Sequence, residues 1–156
     1  MITLSTVDDT RTFGRALAGL LRPGDLVVLT GPLGAGKTAL AQGIGAGLGV
    51  SGEVTSPTFV IARVHRPDPA RGGRVPLVHV DAYRLGAVEV DDLDLDASIA
   101  DSVTVVEWGE GMVEHLVDSY LEVRIDRFED ESRSVELIGH DGDWLDRLAA
   151  QAVAGQ

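Results

Sequence analysis

The spacing of apolar residues along the chain predicts alternating helices and strands. Residues 5–22 begin with short polar and acidic side chains, repeat apolar residues at helical intervals and are followed by Pro23, which predicts a helix. The continuous apolar run at residues 26–29 is typical of a strand that is buried on both faces. Glycines follow, and residues 37–48 repeat large apolar residues every four positions, which predicts a second helix.

Strands dominate the prediction for the second half of the chain. Residues 58–64 predict a strand, and the proline and glycine content of residues 66–74 predicts a surface loop. Two apolar, β-branched runs follow, and each ends directly in a carboxylate: residues 77–80 before Asp81, and residues 103–106 before Glu107.

The end of the sequence predicts a hairpin and a short helix. Residues 121–125 and 134–138 alternate apolar and polar side chains around an acidic turn, as expected for an antiparallel hairpin with one wet face. Trp144 begins a short apolar pattern that would anchor a terminal helix. We therefore expect one α/β domain over residues 1–150, with this C-terminal hairpin, and a frayed tail at residues 151–156.

Composition restricts the class of protein. The chain has 156 residues, of which 44% are hydrophobic and 24% charged, and this suits one globular domain rather than a disordered segment. It contains no apolar run of about 18 residues, and acidic residues stand where a signal peptide would carry basic ones. We therefore expect a cytoplasmic location and no membrane contact. The absence of cysteine excludes disulfide scaffolds and thiolate metal sites.

The charge balance bears on possible partners. A formal net charge of −12 makes autonomous nucleic-acid binding unfavourable, because a phosphate backbone needs clustered cations. If the protein acts near RNA, a basic partner must hold that RNA. The 13 basic residues are twelve arginines and Lys37. We interpret Lys37 as a position that needs a compact ammonium and does not accept a planar guanidinium.

The turn after the first buried strand carries a phosphate-binding motif. Residues 31–38 read GPLGAGKT and match G-x-x-x-x-G-K-[ST] at every fixed position. Glycines let successive backbone N–H groups turn towards phosphate oxygens, and the following helix adds its positive N-terminal end. Lys37 would reach the β- and γ-phosphates, and the Thr38 hydroxyl would bind Mg²⁺. The predicted nucleotide-binding residues here are Gly31, Pro32, Leu33, Gly34, Ala35, Gly36, Lys37, Thr38 and Ala39.

The two strand-end carboxylates are candidates for the metal shell. A P-loop needs a carboxylate at a nearby strand end for Mg²⁺ and another group that orients water. Asp81 and Glu107 both stand where a buried strand is predicted to end. Spacing alone leaves open which of the two lies nearer the metal, and a helix cap or loop charge is the ordinary alternative for each.

Other residues near these motifs have two possible roles. Ser56 and Thr58 lie where P-loop hydrolases keep a switch segment that senses the γ-phosphate, but they are also ordinary turn residues beside a proline. His79, inside a predicted strand, suits a hydrogen-bonded core position. Trp108 suits either the core or a contact surface.

Two absences favour adenine as the base. The chain contains no Asn, so the Asn-Lys-x-Asp motif that reads guanine in GTPases is excluded. Residues 81–84 read DAYR and lack the glycine of a D-x-x-G switch. ATP is therefore the favoured nucleotide.

Four motifs, in this order along the chain, resemble a known family. GPLGAGKT at 31–38, TSPTF at 55–59, HVDAYR at 79–84 and VEWGE at 106–110 look like the bacterial TsaE family, the small ATPase of tRNA threonylcarbamoyladenosine modification. The resemblance implies a P-loop NTPase-type α/β fold with a mixed, mostly parallel sheet flanked by helices. It implies Mg²⁺-dependent ATP hydrolysis that is weak without partners. It also implies a TsaD–TsaB pair as the partner complex, with tRNA contacted only indirectly.

Carried over to this sequence, the resemblance assigns roles to individual residues. Lys37 becomes the phosphate clamp and Thr38 the Mg²⁺ ligand. Asp81 becomes the strand-end acid of the metal shell, and Glu107 would coordinate Mg²⁺, directly or through water, and orient the attacking water. The remaining assignments are the switch hydroxyls of Ser56 and Thr58 and the side chain of Trp108, which would support the site or the partner contact.

Two other functions stay open at this point. A P-loop small-molecule kinase would have this size, although no second polar cluster predicts an acceptor pocket. Its phosphate-closing lid would be formed by Arg63, Arg66, Arg71 and Arg74. A nucleotide sensor would bind ATP without hydrolysing it. The loop at residues 66–74 looks longer and more basic than the TsaE family needs, and the sequence does not assign it a role.

Overall fold

The computed structural model describes residues 2–31, 36–50, 62–81, 101–107, 119–130 and 132–140, and residues 144, 146 and 147. Within them lie two helices, α1 (Val7–Ala18) and α2 (Lys37–Leu48). None of the helices in this part of the chain is long and apolar enough to cross a membrane. The strands are β1 (Ile2–Leu4), β2 (Leu26–Thr30), β3 (Ala62–His65), β4 (Leu77–Asp81), β5 (Val103–Glu107), β6 (Tyr120–Arg127) and β7 (Arg133–His140).

The strands form one mixed sheet in the order β1-β7-β6-β2-β5-β4-β3. The four middle strands, β6, β2, β5 and β4, run parallel, and the outer pairings are antiparallel. Helices pack against this sheet in a shared apolar core. The predicted α/β class, with a mostly parallel sheet and a C-terminal hairpin, is confirmed. The carboxyl ends of parallel strands form the edge at which such sheets usually bind ligands.

The first helix begins and ends for local reasons. The Thr6 hydroxyl accepts a hydrogen bond from the Asp9 N–H at 3.1 Å, and the Asp9 carboxylate accepts one from the Thr6 N–H at 3.2 Å. The predicted start is therefore confirmed. The helix ends at Ala18, one turn before the predicted end, because the N–H groups of Leu20 and Leu21 bond to carbonyls three residues back.

A glycine lets the two helices approach closely. A Cβ atom at Gly14 of α1 would lie 2.6 Å from the Leu40 carbonyl oxygen of α2, which is closer than side chains allow. Arg11 also joins the helices, since its Nε donates to Gln42 Oε1 at 3.0 Å. These contacts fix α2 beside α1, with Lys37 close to the carboxyl end of β2.

The strand predictions hold for the residues that the structure describes. β3 confirms the end of the predicted strand, whose first residues, 58–61, lie outside the description. β4 and β5 end at Asp81 and Glu107, as predicted. The sequence does not predict β1, because three residues are too few for an alternating pattern. The tail at residues 151–156 lies outside the described residues.

The loop after β3 packs against the end of α2. The Asp68 backbone N–H donates to the Gly49 carbonyl at 2.8 Å, and the Arg71 guanidinium donates to the Val50 carbonyl at 3.2 Å. Most residues of this loop are exposed, so the predicted surface loop at residues 66–74 is confirmed, with one short 3₁₀ turn inside it. Because β3 runs antiparallel to β4, the loop lies at the end of the sheet opposite to the carboxyl edge.

The C-terminal strands close the core from the other side. β6 and β7 form the predicted hairpin, and Leu121, Val123 and Ile125 of β6 are fully buried while alternate residues of the strand are more exposed. Trp144, in the predicted terminal helix, is 2% exposed. Other buried residues of this core are Leu17, Val27, Leu29, Leu40, Ile44, Leu77, Val103, Val105 and Val135.

Candidate functional site

The start of α2 suits an anion. Gly36 is the N-cap of α2 and supplies no side-chain hydrogen bond, and the first turn of the helix contains no acidic residue. Helix α1, in contrast, has both an N-cap side chain and acidic residues in its first turn. The N-terminal N–H groups of α2 carry partial positive charge, so a bound anion would stabilise them.

Lys37 lies across the turn that connects β2 with α2. Its Nζ donates to the Gly31 carbonyl at 2.7 Å, and the side chain is nearly buried. The bond therefore links the two ends of the glycine-rich motif. The Lys37 ammonium and the positive N-terminal end of α2 both favour negative charge at this turn. A bound phosphate would supply such charge.

Glu107 ends β5, the strand beside β2, and reaches the first turn of α2. The parallel register pairs Leu29 of β2 with Glu107. The Thr38 hydroxyl donates to Glu107 Oε1 at 3.4 Å, and Glu107 is 4% exposed. The other carboxylate oxygen, Oε2, lies 2.6 Å from Nε2 of His79, which is fully buried in β4. The fold thus brings a hydroxyl, a carboxylate and an imidazole together at the carboxyl edge.

Asp81 lies opposite Glu107 in the register between β4 and β5. Its strand is one position farther from β2 than β5 is, and its side chain lies outside the described part of the chain. Of the two strand-end acids, Glu107 belongs to the strand that adjoins β2, and it contacts Thr38. The spacing along the sequence leaves open which of the two acids is nearer to the turn, and the strand order places Glu107 nearer.

The donor set suits Mg²⁺ that is bound together with a nucleotide. Among the described residues, no group of three or more His, Asp and Glu side chains could hold a metal ion by itself. The Thr38 hydroxyl and the Glu107 carboxylate provide hard oxygen atoms in contact with each other. Mg²⁺ at nucleotide sites typically takes one or two protein carboxylates and completes its shell with phosphates and water. These residues therefore fit the ion that the motif implies.

A second polar cluster lies at the end of β2, on the sheet face opposite to Glu107. Glu122 of β6 accepts hydrogen bonds from the Thr30 hydroxyl at 3.2 Å, from Arg124 at 3.0 Å and from His140 at 3.0 Å. Burial alone would raise the pKa of Glu122, but the hydrogen bonds from His140, Arg124 and Thr30 outweigh it and hold that pKa below its ordinary value. Glu122 is thus an ionised group with a structural role: its hydrogen bond holds the side chain of Thr30, the residue before Gly31.

Several predicted site residues lie outside the described part of the chain. They are Pro32, Leu33, Gly34 and Ala35 of the turn, Ser56 and Thr58 of the expected switch segment, and Trp108 after β5. Their roles stay predictions. Ala39 is described, and it is half-buried in the first turn of α2.

Similarity to known proteins identifies the family. Residues 4–135 match the family described as threonylcarbamoyl adenosine biosynthesis protein TsaE. The chain belongs to the TsaE family. A relative from Streptomyces coelicolor, named tRNA threonylcarbamoyladenosine biosynthesis protein TsaE, is 60% identical over 140 residues, which cover 86% of this chain and 93% of that protein. The protein of the same name from Bacillus subtilis is 36% identical over 129 residues, or 82% of this chain and 78% of that protein.

A solved structure shares the fold of this TsaE-family chain. The crystal structure of YdiB from Bacillus subtilis aligns with a TM-score of 0.79 and 25% sequence identity, over 99% of this chain and 95% of that chain. Proteins of the TsaE family take part in tRNA threonylcarbamoyladenosine biosynthesis. The family resemblance that the sequence motifs indicate is therefore confirmed.

Two residues beside the site of this TsaE-family chain are not assigned to it by the sequence. His79 is the expected hydrogen-bonded core residue, but its partner, Glu107, appears only in the structure. Arg133 of β7 is 6% exposed, and its Nε lies 2.8 Å from where a Cβ atom on Gly36 would be. Arg133 lies two residues before buried Val135 in β7 and so shares its sheet face, on which apolar residues are expected. A charged residue at that position is the feature of the sequence that could have drawn attention to Arg133.

Replacing Gly36 by alanine is expected to weaken ATP binding by about tenfold or more. Gly36 has a φ of 109°, a backbone conformation that costs an L-residue about 1–2 kcal/mol. The added Cβ would also meet the Arg133 side chain and push it away from the helix start. Equilibrium binding of a fluorescent ATP analogue measures this effect.

Gly72→Ala is the matched control for the backbone cost. Gly72 has a φ of 77°, and nothing lies within 4 Å of its added Cβ. We expect both variants to lose similar stability in a denaturant titration, with ATP binding reduced in Gly36→Ala alone. Wild-type affinity in Gly36→Ala would contradict the assignment of this turn to phosphate binding.

Proposed function

We propose that this TsaE-family chain binds ATP and Mg²⁺ and hydrolyses ATP for the machinery that makes threonylcarbamoyladenosine in tRNA. The observation that carries the proposal is the Thr38–Glu107 contact beside the G-x-x-x-x-G-K-[ST] turn, which Lys37 bridges. A phosphate-binding turn, a hydroxyl at the helix start and a carboxylate at the neighbouring strand end are the parts that P-loop hydrolysis requires.

Each residue has a separate task in this mechanism. Lys37 and the N–H groups at the start of α2 bind the β- and γ-phosphates and stabilise the negative charge that develops on them. Thr38 and Glu107 would hold Mg²⁺, directly or through water, with Asp81 as a further acid of that shell. The ion would supply additional positive charge that stabilises the transferring phosphoryl group. Glu107 also accepts a hydrogen bond from the attacking water and orients it.

Partner proteins, rather than RNA, are the proposed direct contacts. A net charge of −12 opposes binding to tRNA, so a TsaD–TsaB-like complex would hold the tRNA. Ser56 and Thr58 are the proposed switch hydroxyls that carry the nucleotide state to that complex, and Trp108 supports the site or the contact. The cytoplasm, where tRNA is modified, is the proposed location.

The arginine-rich loop does not favour the small-molecule kinase. Arg71 bonds to the Val50 carbonyl, just beyond the C-terminal end of α2. Helix α2 has 12 residues, so this point lies about 18 Å along the helix from Lys37. A lid that closes over phosphates would have to lie at the other end of α2.

ATP turnover is expected to rise roughly tenfold or more when a purified TsaD–TsaB pair is added to this chain. The expectation follows from the TsaE-family resemblance, which implies ATP hydrolysis that is weak without partner proteins. Phosphate release is measured with the chain alone, with the pair, and with Lys37→Ala as the inactive control.

Other outcomes of the same assay identify the rival functions. Transfer of the γ-phosphate to a small acceptor would establish the kinase instead. Tight ATP binding without release in either mixture would establish the sensor. Tight tRNA binding by the isolated chain at about physiological salt would contradict the electrostatic argument for an indirect role.

A further inference from the structure

The Glu107 carboxylate is held from two sides. On one side, Oε2 lies 2.6 Å from His79 Nε2, and on the other, Oε1 accepts from the Thr38 hydroxyl at 3.4 Å. His79 is fully buried and Glu107 is 4% exposed, so water competes little for either contact. The shorter contact, with His79, is made between two strands of the sheet. The longer contact, with Thr38, lies next to the proposed nucleotide-binding turn.

The register explains why the imidazole reaches the carboxylate. His79 is paired with Val105, and Asp81 with Glu107, across β4 and β5. His79 therefore lies two residues before the Glu107 level, on the same face of the neighbouring strand. From there its ring supports the carboxylate from the core side and leaves the other oxygen at the edge that meets α2. Diagonal neighbours of this kind are within reach of long and ring side chains.

The chemistry of the pair defines where the proton lies. We assign the hydrogen of this bond to His79 Nε2, because a carboxylate in its ionised form can only accept. His79 Nδ1 is buried and has no hydrogen-bond partner among the described residues. Within the part of the chain that the structure describes, the polar contact of His79 is thus directed entirely to Glu107. If the position only had to be filled, an apolar residue of similar size would serve as well as His79. The hydrogen bond to Glu107 is what the histidine adds.

We propose that His79 is a positioning residue for Glu107, and this inference rests on the proposed ATPase function. By donating to Oε2, His79 fixes the side-chain rotamer of Glu107 and directs Oε1 to the Thr38 hydroxyl. Preorganisation of this kind stabilises the transition state, because the carboxylate needs no reorientation when Mg²⁺ and water bind. His79 itself stays behind Glu107 and does not contact the nucleotide.

His79→Leu and His79→Gln separate this role from packing. Leucine fills a similar volume without a donor, whereas glutamine keeps an N–H group that can reach the carboxylate. We expect His79→Leu to lower kcat by roughly 10–100-fold and to raise the Mg²⁺ concentration needed for tight binding of an ATP analogue. His79→Gln should restore most of both properties, and ATP affinity without Mg²⁺ should stay at the wild-type value in both variants.

Thr104→Val is the control for a polar group lost from the same sheet. Thr104 is fully buried in β5, its hydroxyl has no partner among the described residues, and it occupies the face opposite to Glu107. This variant should keep wild-type kcat and Mg²⁺ dependence. If His79→Leu also keeps both, or if both His79 variants lose them alike together with thermal stability, His79 serves packing and the proposal is wrong.

The protonated nitrogen gives a readout that requires no turnover. Two-bond ¹H–¹⁵N correlation spectra of the protein without nucleotide should show His79 with hydrogen on Nε2 and a bare Nδ1. Hydrogen on Nδ1 alone would overturn the proposal, because Nε2 could not then donate to Glu107. Absence of ATP turnover in the wild type with every partner would remove the proposed function instead. The spectra and the Mg²⁺ dependence of analogue binding would still test His79.

Discussion

Replacing Glu107 by glutamine is expected to lower ATP turnover by roughly 10²–10³-fold while ATP affinity changes by less than about threefold. Glutamine keeps the shape of the side chain and its contact with His79, but it removes the negative charge that faces Thr38. In the proposed mechanism, that charge acts mainly in the transition state, on the water and on the metal shell. The α2 N–H groups and Lys37 would supply much of the binding in the ground state.

Glu122→Gln is the matched control for this substitution. Glu122 is also a shielded carboxylate next to β2, but it bonds to Thr30 and His140 on the opposite face of the sheet. We expect this variant to lose stability and to keep most of its turnover. Single-turnover hydrolysis and analogue binding are measured for both variants. Normal hydrolysis with weakened binding in Glu107→Gln would make Glu107 a binding residue and not a catalytic one.

The local elements around the site are predictable from sequence because each has a strong local cause. The run at residues 26–29 is apolar on both faces, the next residues carry the glycines of the G-x-x-x-x-G-K-[ST] motif, and α2 repeats its apolar residues every four positions. The carboxylates Asp81 and Glu107 follow from the apolar runs that precede them. These predictions need no knowledge of which strands are neighbours.

The order of strands is not predictable in this way. β5 follows β4 along the chain but lies between β2 and β4 in the sheet, and that insertion brings Glu107 rather than Asp81 next to β2. The partner of His79 depends on the same pairing. Such contacts join residues 28 positions apart, and the hydrophobic period of one strand carries no information about its neighbour.

Arg133 illustrates a different limit. The alternation at residues 134–138 predicts the strand, and its period places Arg133 on the buried face, but it does not show what an arginine would contact there. In the folded chain, Arg133 is nearly buried and its side chain packs against Gly36. The glycine leaves the space that the arginine occupies, so neither residue can be understood from its own segment.

Lys37 is expected to be irreplaceable even by arginine. Lys37→Ala should weaken ATP binding by about a hundredfold, since it removes a charged hydrogen-bond donor from the phosphates. Lys37→Arg keeps the charge, but the ammonium lies 2.7 Å from the Gly31 carbonyl and the residue is 5% exposed. A planar guanidinium is larger and directs its donors in a fixed fork, so it cannot take the place of a compact ammonium there.

The Lys37→Arg substitution is informative because the other twelve Lys and Arg positions of the chain are all arginine. Arg15→Lys is the matched control: Arg15 is exposed in the last turn of α1, where either cation interacts favourably with the helix end. We expect this control to bind and hydrolyse ATP like the wild type, whereas both Lys37 variants fail in analogue binding and in phosphate release. Wild-type turnover by Lys37→Arg would mean that charge alone matters at the turn. The burial of Lys37 and its bond to Gly31 would then be incidental to phosphate binding.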